Sequence, residues 1–100
     1  MNPVVLVVDD SLVNRQLIEW TLEGEAEVHS ISNGRQCREL AGRLKPHAIF
    51  LDLMMPEYSG FDVLEELKAK APELLPRTVV ISARDDKKSR RAAEGYGIAA

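Results

Sequence analysis

The chain has 100 residues, of which 45% are hydrophobic and 29% charged, with a net charge of −3. These values are ordinary for one small globular domain. Acidic and basic residues are interspersed, which argues against a surface that binds nucleic acid directly. The apolar runs are far shorter than the roughly 18 residues of a membrane span, and no signal-peptide pattern is present. With a single cysteine as well, the sequence predicts a cytoplasmic protein that makes no use of a membrane.

The first predicted element is a strand at Val4–Val8, five aliphatic residues in a row that indicate burial on both faces of a parallel sheet. Asp9, Asp10 and Ser11 follow it directly. Adjacent carboxylates repel each other unless something compensates their charge, and a divalent cation is the usual compensation. Asp10 or Ser11 could instead cap the following helix, and both interpretations can hold together.

A helix at 12–22, an edge strand at Glu27–Ile31 and a second helix at 35–44 are predicted next. The first helix has an amphipathic pattern, because apolar residues recur at spacings of three and four. Those residues are Val13, Leu17 and Trp20 or Thr21. In the second helix Cys37 shares a face with other apolar residues, so it is interpreted as a small buried hydrophobic residue and not as a reactive thiol.

The central stretch at 49–60, I-F-L-D-L-M-M-P-E-Y-S-G, has the clearest functional pattern. A buried strand ends there in one carboxylate, Asp52, and open α/β sheets keep their functional groups at the carboxyl ends of strands. Taken alone, Asp52 could also cap the next helix or start a turn. His47 lies at the other end of this strand, roughly 16 Å away, and is interpreted as a surface residue, as is His29.

The remaining predicted elements are a helix, a proline-bracketed loop, a strand and a helix: 61–69, 72–76, Thr78–Ile81 and 85–94. Strands that alternate with helices through short connections predict a doubly wound α/β domain with helices on both faces of a parallel sheet. Neighbouring strands of such a sheet end at the same edge. We therefore expect Asp9, Asp10, Asp52 and Ser82 to meet there.

Three carboxylates in one place form a site for a hard cation, and Mg²⁺ suits such oxygen ligands. No cluster of His and Cys is present, which argues against zinc. A carboxylate beside Mg²⁺ can act as a nucleophile toward an activated phosphoryl group and form an aspartyl phosphate. Ser82 could then donate a hydrogen bond to a phosphoryl oxygen. The sequence lacks a G-x-x-x-x-G-K loop, so a nucleotide-binding P-loop is not expected.

These residues resemble the receiver domains of two-component response regulators. The resemblance is carried by V-L-V-V-D-D-S, by I-F-L-D-L-M-M-P-E-Y-S-G-F-D-V-L, and by V-V-I-S-A, in that order along nearly the whole chain. It implies a flavodoxin-like (CheY-like) fold of three layers, α/β/α, with strand order 2-1-3-4-5. Residues 1–100 would then form one receiver domain.

The resemblance also implies roles for individual residues. Asp52 corresponds to the phospho-acceptor, and Asp10 to a direct Mg²⁺ ligand that Asp9 supports through water. The backbone carbonyl of Met54 would complete the metal site. Two further positions contact the phosphoryl group: Ser82 resembles the hydroxyl residue that turns toward it, and Ala83 the small residue that leaves it room.

One departure concerns the fifth strand, where the family has a lysine that contacts the phosphoryl group. Lys87 and Lys88 fall in the fourth helix and do not match that position. The resemblance therefore predicts a receiver domain that is incomplete at its C-terminus, with the fifth strand and last helix largely missing. We expect the fourth strand to be an unpaired apolar edge, which favours self-association through that edge.

The favoured function is a phospho-acceptor switch that takes a phosphoryl group from a histidine kinase or a phosphotransfer protein and acts on an output domain or target protein. Such a protein modifies its own aspartate and is not expected to be a turnover enzyme. The basic segment 84–91 is interpreted as part of an output surface or as a solvated helix face. The alternative is a receiver-like dimerisation module that is not phosphorylated. An aspartate-dependent phosphohydrolase would need a second acid where Met54 stands.

Overall fold

The computed structural model of the chain describes residues 2–81 and 87–100. Strands and helices alternate through this part of the chain. They are β1 (Val4–Val8), α1 (Leu12–Thr21), β2 (Glu27–Ile31), α2 (Cys37–Leu44), β3 (Ala48–Asp52), α3 (Gly60–Lys70), β4 (Thr78–Ile81) and α4 (Lys87–Glu94). The predicted strands are confirmed, and the predicted helices agree to within a few residues at their ends.

The four described strands form one parallel sheet in the order β2-β1-β3-β4. The predicted doubly wound fold and the predicted place of β2 at an edge are therefore confirmed. In the register, Val8 lies opposite Leu51, and Asp52 lies opposite Ile81. The carboxyl ends of β1, β3 and β4 consequently meet at one edge of the sheet.

The main core lies on the side of the sheet that packs against α2, α3 and α4, which we call the covered face. Its strand residues are nearly or completely inaccessible to solvent: Leu6, Val8, Ile49, Leu51 and Val80. Cys37 of α2, Leu64 and Leu67 of α3 and Ala93 of α4 pack into the same cluster. Cys37 is fully buried, as predicted, and burial raises the pKa of its thiol to about 12.

The opposite side of the sheet, which we call the α1 face, is only partly covered. The amphipathic pattern of α1 normally marks a buried stripe, yet α1, which lies wholly within the described residues, contains no buried side chain. Leu17 is 51% exposed and Trp20 is 66% exposed. An open apolar groove of about 230 Å³ runs between α1 and the sheet. It is lined by Leu17, Ile18, Thr21, Leu22, Phe50 and Ile81.

Two short 3₁₀-helices also differ from the predicted boundaries. The segment Pro72–Arg77, predicted as a loop, is a 3₁₀-helix that begins with proline at its first position. Proline suits that position because its missing N–H would have no partner there. The helix predicted at 35–44 begins with a 3₁₀ turn at Gly34–Gln36, and its α-helical part begins at Cys37.

The outer edge of β4 is partly paired. The amide of Ala99 donates to the carbonyl of Thr78 at 2.9 Å, and the amide of Val80 donates to the carbonyl of Ala100 at 2.8 Å. The expectation that β4 leaves a wholly unpaired edge is therefore wrong for Thr78 and Val80. These hydrogen bonds occupy two backbone positions that a second chain would need for edge-to-edge pairing.

Candidate functional site

Three carboxylates converge at the carboxyl edge of the sheet. Asp9 and Asp10 follow β1, and Asp52 is the last residue of β3. One carboxylate oxygen from each of the three lies within 4.8 Å of the others. Asp9 is 1% exposed and Asp52 is 9% exposed, whereas Asp10 faces solvent. The sequence-based prediction that these acids meet is confirmed.

Asp9 is held by a set of hydrogen bonds that begins in its own backbone. Its amide donates to the carbonyl of Ile31 at 3.1 Å, which ties it to the end of β2. Its Oδ1 accepts from the amide of Ser11 at 2.9 Å, and its Oδ2 accepts from Asn14 Nδ2 at 3.1 Å. Arg15 Nη1 donates to its carbonyl at 2.7 Å. Both carboxylate oxygens are thus engaged by the chain, which fits a supporting role for Asp9.

Asn14 and Arg15 are site residues that the sequence reasoning missed. Both lie near the start of α1, whose N-cap is Ser11, so Asp9 is within reach of their side chains. The sequence signal for such residues is a polar side chain one turn into a helix that directly follows a strand ending in acids. The predicted capping by Ser11 is confirmed, because its side chain accepts a hydrogen bond from the amide of Asn14 at 3.3 Å.

Asp52 is an acid in an unfavourable electrostatic position. Burial raises its pKa to about 6, and the neighbouring charges of Asp9 and Asp10 act in the same direction, while the hydrogen bond from the Met54 amide opposes them. That amide donates to Asp52 Oδ1 at 3.0 Å. A carboxylate that is buried beside two other acids is stabilised in its charged form by a nearby cation. The donor set at this edge consists of oxygen atoms, which fits a hard divalent cation.

The loop from Leu53 to Ser59 closes tightly on the end of β3. The amide of Gly60 donates to the carbonyl of Leu53 at 3.1 Å. A Cβ atom at Gly60 would lie 2.4 Å from the Asp52 carbonyl oxygen, so only glycine fits this close approach. Ser59 then starts α3 with a capping box, in which its hydroxyl accepts from the Asp62 amide and the Asp62 carboxylate accepts from the Ser59 amide.

The two histidines lie apart from the acidic cluster. His47 Nδ1 accepts a hydrogen bond from the amide of Val4 at 3.0 Å, at the opposite end of β1 from Asp9. The ring of His29 lies 2.9 Å from a carboxylate oxygen of Glu27 on β2. Both are structural contacts, consistent with the prediction that neither histidine serves the site.

Part of the predicted site lies outside the described residues. Ser82 and Ala83, the positions assigned to phosphoryl contacts, belong to the segment 82–86, as does the predicted start of α4. The last described residue of β4, Ile81, lies opposite Asp52 in the register. The role assigned to the carbonyl of Met54 also stays a prediction, since the contact observed at that residue is made by its amide.

Comparison with known proteins identifies a family and several relatives of this chain. The family model described as the response regulator receiver domain matches residues 5–100. The transcriptional regulatory protein YdfI of Bacillus subtilis is 43% identical over 74 residues, covering 66% of this chain and 32% of that protein. The transcriptional regulatory protein SrrA of Staphylococcus aureus is 41% identical over 69 residues, covering 68% of this chain and 29% of that protein. The chain thus spans about a third of the length of these relatives.

Solved structures agree with the observed fold. The chemotaxis protein CheY4 of Vibrio cholerae superposes with a TM-score of 0.86 at 22% identity, covering 98% of this chain and 82% of that chain. A response regulator receiver protein from Pseudomonas putida superposes with a TM-score of 0.83 at 24% identity, covering 98% of this chain and 82% of that chain. These likenesses support the architecture of the sheet and its helices. In the described part of the chain, no helix has the length and apolar character needed to span a bilayer.

Proposed function

Because the chain belongs to the response regulator receiver domain family, we propose that Asp52 accepts a phosphoryl group in a Mg²⁺-dependent reaction. The observation that carries this proposal is the convergence of three carboxylates within 4.8 Å, with Asp52 at the end of the central strand. One acid at a strand end is commonly a cap, but three acids from two neighbouring strands repel each other. Such repulsion is relieved when a divalent cation binds at this edge.

The residues proposed to hold Mg²⁺ are Asp10, Asp52 and the backbone carbonyl of Met54, with Asp9 acting through water. Asp10 is exposed and open to a metal, whereas both oxygens of Asp9 already accept hydrogen bonds from Ser11 and Asn14. When bound, the cation supplies charge that offsets the phosphoryl oxygens and the carboxylates. Oxygen ligands of this kind are those that Mg²⁺ prefers.

The chemistry proposed for Asp52 is nucleophilic attack. Met54 N–H binds Oδ1, which orients the side chain. A carboxylate oxygen forms a bond to phosphorus while the bond from phosphorus to the donor's leaving group breaks, and that group leaves with the electron pair. Because the pKa of Asp52 is about 6, the carboxylate is mostly ionised at pH 7.5 and can act as the nucleophile. The product is an acyl phosphate on the protein itself, so the chain is a self-modifying switch and not a turnover enzyme.

The phosphoryl donor is proposed to be a histidine kinase or a phosphotransfer protein, and the receiver of the signal an output domain or a target protein. Support comes from the relatives named as transcriptional regulatory proteins, of which this chain matches about a third. Ser82 is proposed to donate a hydrogen bond to the transferred phosphoryl group, and Ala83 to leave it room.

The test is intact-mass spectrometry after incubation with Mg²⁺ and acetyl phosphate. We expect the wild-type chain to gain one phosphoryl group and Asp52→Asn to gain none. Asp62→Asn is a matched control, because Asp62 is an acid at the start of α3 whose carboxylate binds the Ser59 amide, away from the acidic cluster. A folded wild-type chain that gains no mass would contradict the proposal and favour the dimerisation module instead.

A further inference from the structure

Glu57, in the loop that follows Asp52, adopts a strained backbone conformation. Glu57 has φ of 67°, and the amide of Tyr58 donates to the carbonyl of Pro56 at 2.7 Å. A hydrogen bond that skips one residue with positive φ defines the rare and strained form of the γ-turn. A side chain larger than glycine is disfavoured there, so the surrounding structure must hold the turn in place.

Tyr58 holds the turn in place, because residues of α3 and of the 3₁₀ turn at Gly34–Gln36 contact its side chain. Its hydroxyl donates to Glu66 Oε2 on α3 at 2.6 Å. Arg38 Nε on α2 donates to the other oxygen, Glu66 Oε1, at 2.7 Å. The guanidinium of Arg35 lies 4.9 Å from the centre of the tyrosine ring, within the range of a cation–π contact.

The ring of Tyr58 is also packed against backbone. A Cβ atom built on Gly34 would lie 3.1 Å from Tyr58 Cδ1 and 3.2 Å from Met55 Cε, so the absence of a side chain there lets both residues approach. Met55 is 7% exposed. The strained turn therefore lies between two anchored residues, and Met54 precedes the first of them directly.

We infer that Tyr58 is a positioning residue for the metal site: through the γ-turn at Glu57 it sets the conformation of the segment that contains Met54. This inference rests on the proposed function, since it concerns the proposed Mg²⁺ ligand at Met54. Tyr58 lies six residues beyond Asp52 and touches none of the three acids in the described contacts, so it acts through the loop. Groups that orient a metal ligand from outside the site typically change metal affinity substantially.

The ionisation states of Tyr58 and Glu66 preserve the hydrogen bond between them at neutral pH. The hydrogen bond to Glu66 raises the pKa of Tyr58 to about 12 and lowers the pKa of Glu66. The hydroxyl therefore stays a donor and the carboxylate stays an acceptor at neutral pH. Hydrogen bonds to a charged acceptor are stronger than those between neutral groups.

Tyr96 offers a matched control, because its hydrogen-bond partner also lies on α3. Its hydroxyl donates to Glu65 of α3, and the ammonium of Lys68 lies 5.8 Å from its ring centre. Tyr96→Phe therefore removes a tyrosine–glutamate hydrogen bond beside a cation, as Tyr58→Phe does, but far along the chain from the γ-turn. A purely structural role for either hydroxyl would lower thermal stability without changing metal binding selectively.

The experiment is calorimetric titration of the chain with MgCl₂ at pH 7.5. We expect Tyr58→Phe to bind Mg²⁺ about tenfold more weakly than wild type, whereas Tyr96→Phe should stay within about twofold. Glu57→Gly should restore most of the lost affinity in the Tyr58→Phe background, because glycine adopts positive φ without strain. Phosphorylation by acetyl phosphate should be slower for Tyr58→Phe near the Mg²⁺ dissociation constant and recover at saturating Mg²⁺.

Three results would overturn the inference. They are an unchanged affinity in Tyr58→Phe, an equal loss in Tyr96→Phe, or a double variant with Glu57→Gly that binds as weakly as Tyr58→Phe alone. Failure of the proposed function would give a different result. The wild-type chain itself would then show no heat of Mg²⁺ binding, or only a heat that Asp10→Asn leaves unchanged. That result would remove both the metal site and the role of Tyr58.

Discussion

The covered face and the α1 face of the sheet differ in burial along β3 and β4, although both are built from the same strands. On the covered face, Leu6, Ile49 and Leu51 are 0% exposed. On the α1 face, Phe50 and Ile81 are half-buried and line an open groove, although Val7 of β1 is fully buried on this face. Side chains of a strand alternate between faces, so the two sets are interleaved in sequence. The comparison indicates that the described fold derives more of its hydrophobic stabilisation from the covered face than from the α1 face.

The largest expected effect comes from truncating one leucine on each side. Leu67 of α3 is 0% exposed, and Leu17 of α1 is 51% exposed. We expect Leu67→Ala to lower the free energy of unfolding by about 2–5 kcal/mol, because a buried cavity is left behind. Leu17→Ala should change it by about 0.5 kcal/mol or less. Urea denaturation measures both, and equal losses would show that α1 is as tightly packed as α3.

Two helical glycines are expected to respond with opposite sign. A Cβ at Gly60 would meet backbone atoms of Asp52 and Leu53 within 2.6 Å, whereas a Cβ at Gly42 of α2 meets nothing within 4 Å. Gly60→Ala should destabilise the fold by about 1–3 kcal/mol through overpacking. Gly42→Ala should stabilise it by about 0.5–1 kcal/mol, since alanine is the better helix former. Melting temperatures compare the two, and a stabilised Gly60→Ala would contradict the close approach.

Asp52 lies on the α1 face, because its side chain is on the same side of β3 as that of Phe50. Its ionisation makes the stability of the fold depend on pH. The folded-state pKa of Asp52 is raised from 3.8 to about 6 by burial and by Asp9 and Asp10. Between these two values the folded chain holds a proton that the unfolded chain has lost, so this contribution to stability decreases as pH rises from 4 to 6. Above pH 6 both states are ionised and the loss is complete.

Asp52→Asn should therefore be more stable than wild type at pH 7.5 in a metal-free buffer, by about 1 kcal/mol after allowance for solvent screening. The difference should shrink near pH 4. Added MgCl₂ should raise the melting temperature of the wild type and leave the variant nearly unchanged, since a ligand stabilises the state that binds it. A variant less stable than wild type at pH 7.5 would show that the acidic cluster is compensated within the chain.

The smallest expected effects concern the helix caps on the two faces. Ser59 caps α3 through a complete capping box, whereas Ser11 caps α1 through one acceptor contact of 3.3 Å. We expect Ser59→Ala to cost about 1 kcal/mol and Ser11→Ala about 0.5 kcal/mol. Thermal unfolding of both variants tests the ranking. A larger loss in Ser11→Ala would indicate that the hydrogen bonds around Asp9 depend on its cap.

Local sequence patterns determined the strands and the acidic edge. Apolar runs mark strands that are buried on both faces, and parallel strands bring their carboxyl ends together, so Asp9, Asp10 and Asp52 could be placed without coordinates. The buried state of Cys37 followed from helical spacing in the same way. These inferences succeeded because each depends on residues that are close in sequence or on the general geometry of parallel sheets.

Tertiary structure alone decided which apolar surfaces are covered and which distant side chains meet. The pattern of α1 shows that Leu17 and Trp20 share a side of the helix, but not whether anything packs there. Tyr58, Glu66 and Arg38 come from a loop and two helices, and Arg38 and Glu66 are 28 residues apart. The hydrogen bonds among them depend on how α2 and α3 pack on the sheet, and no local pattern encodes that geometry.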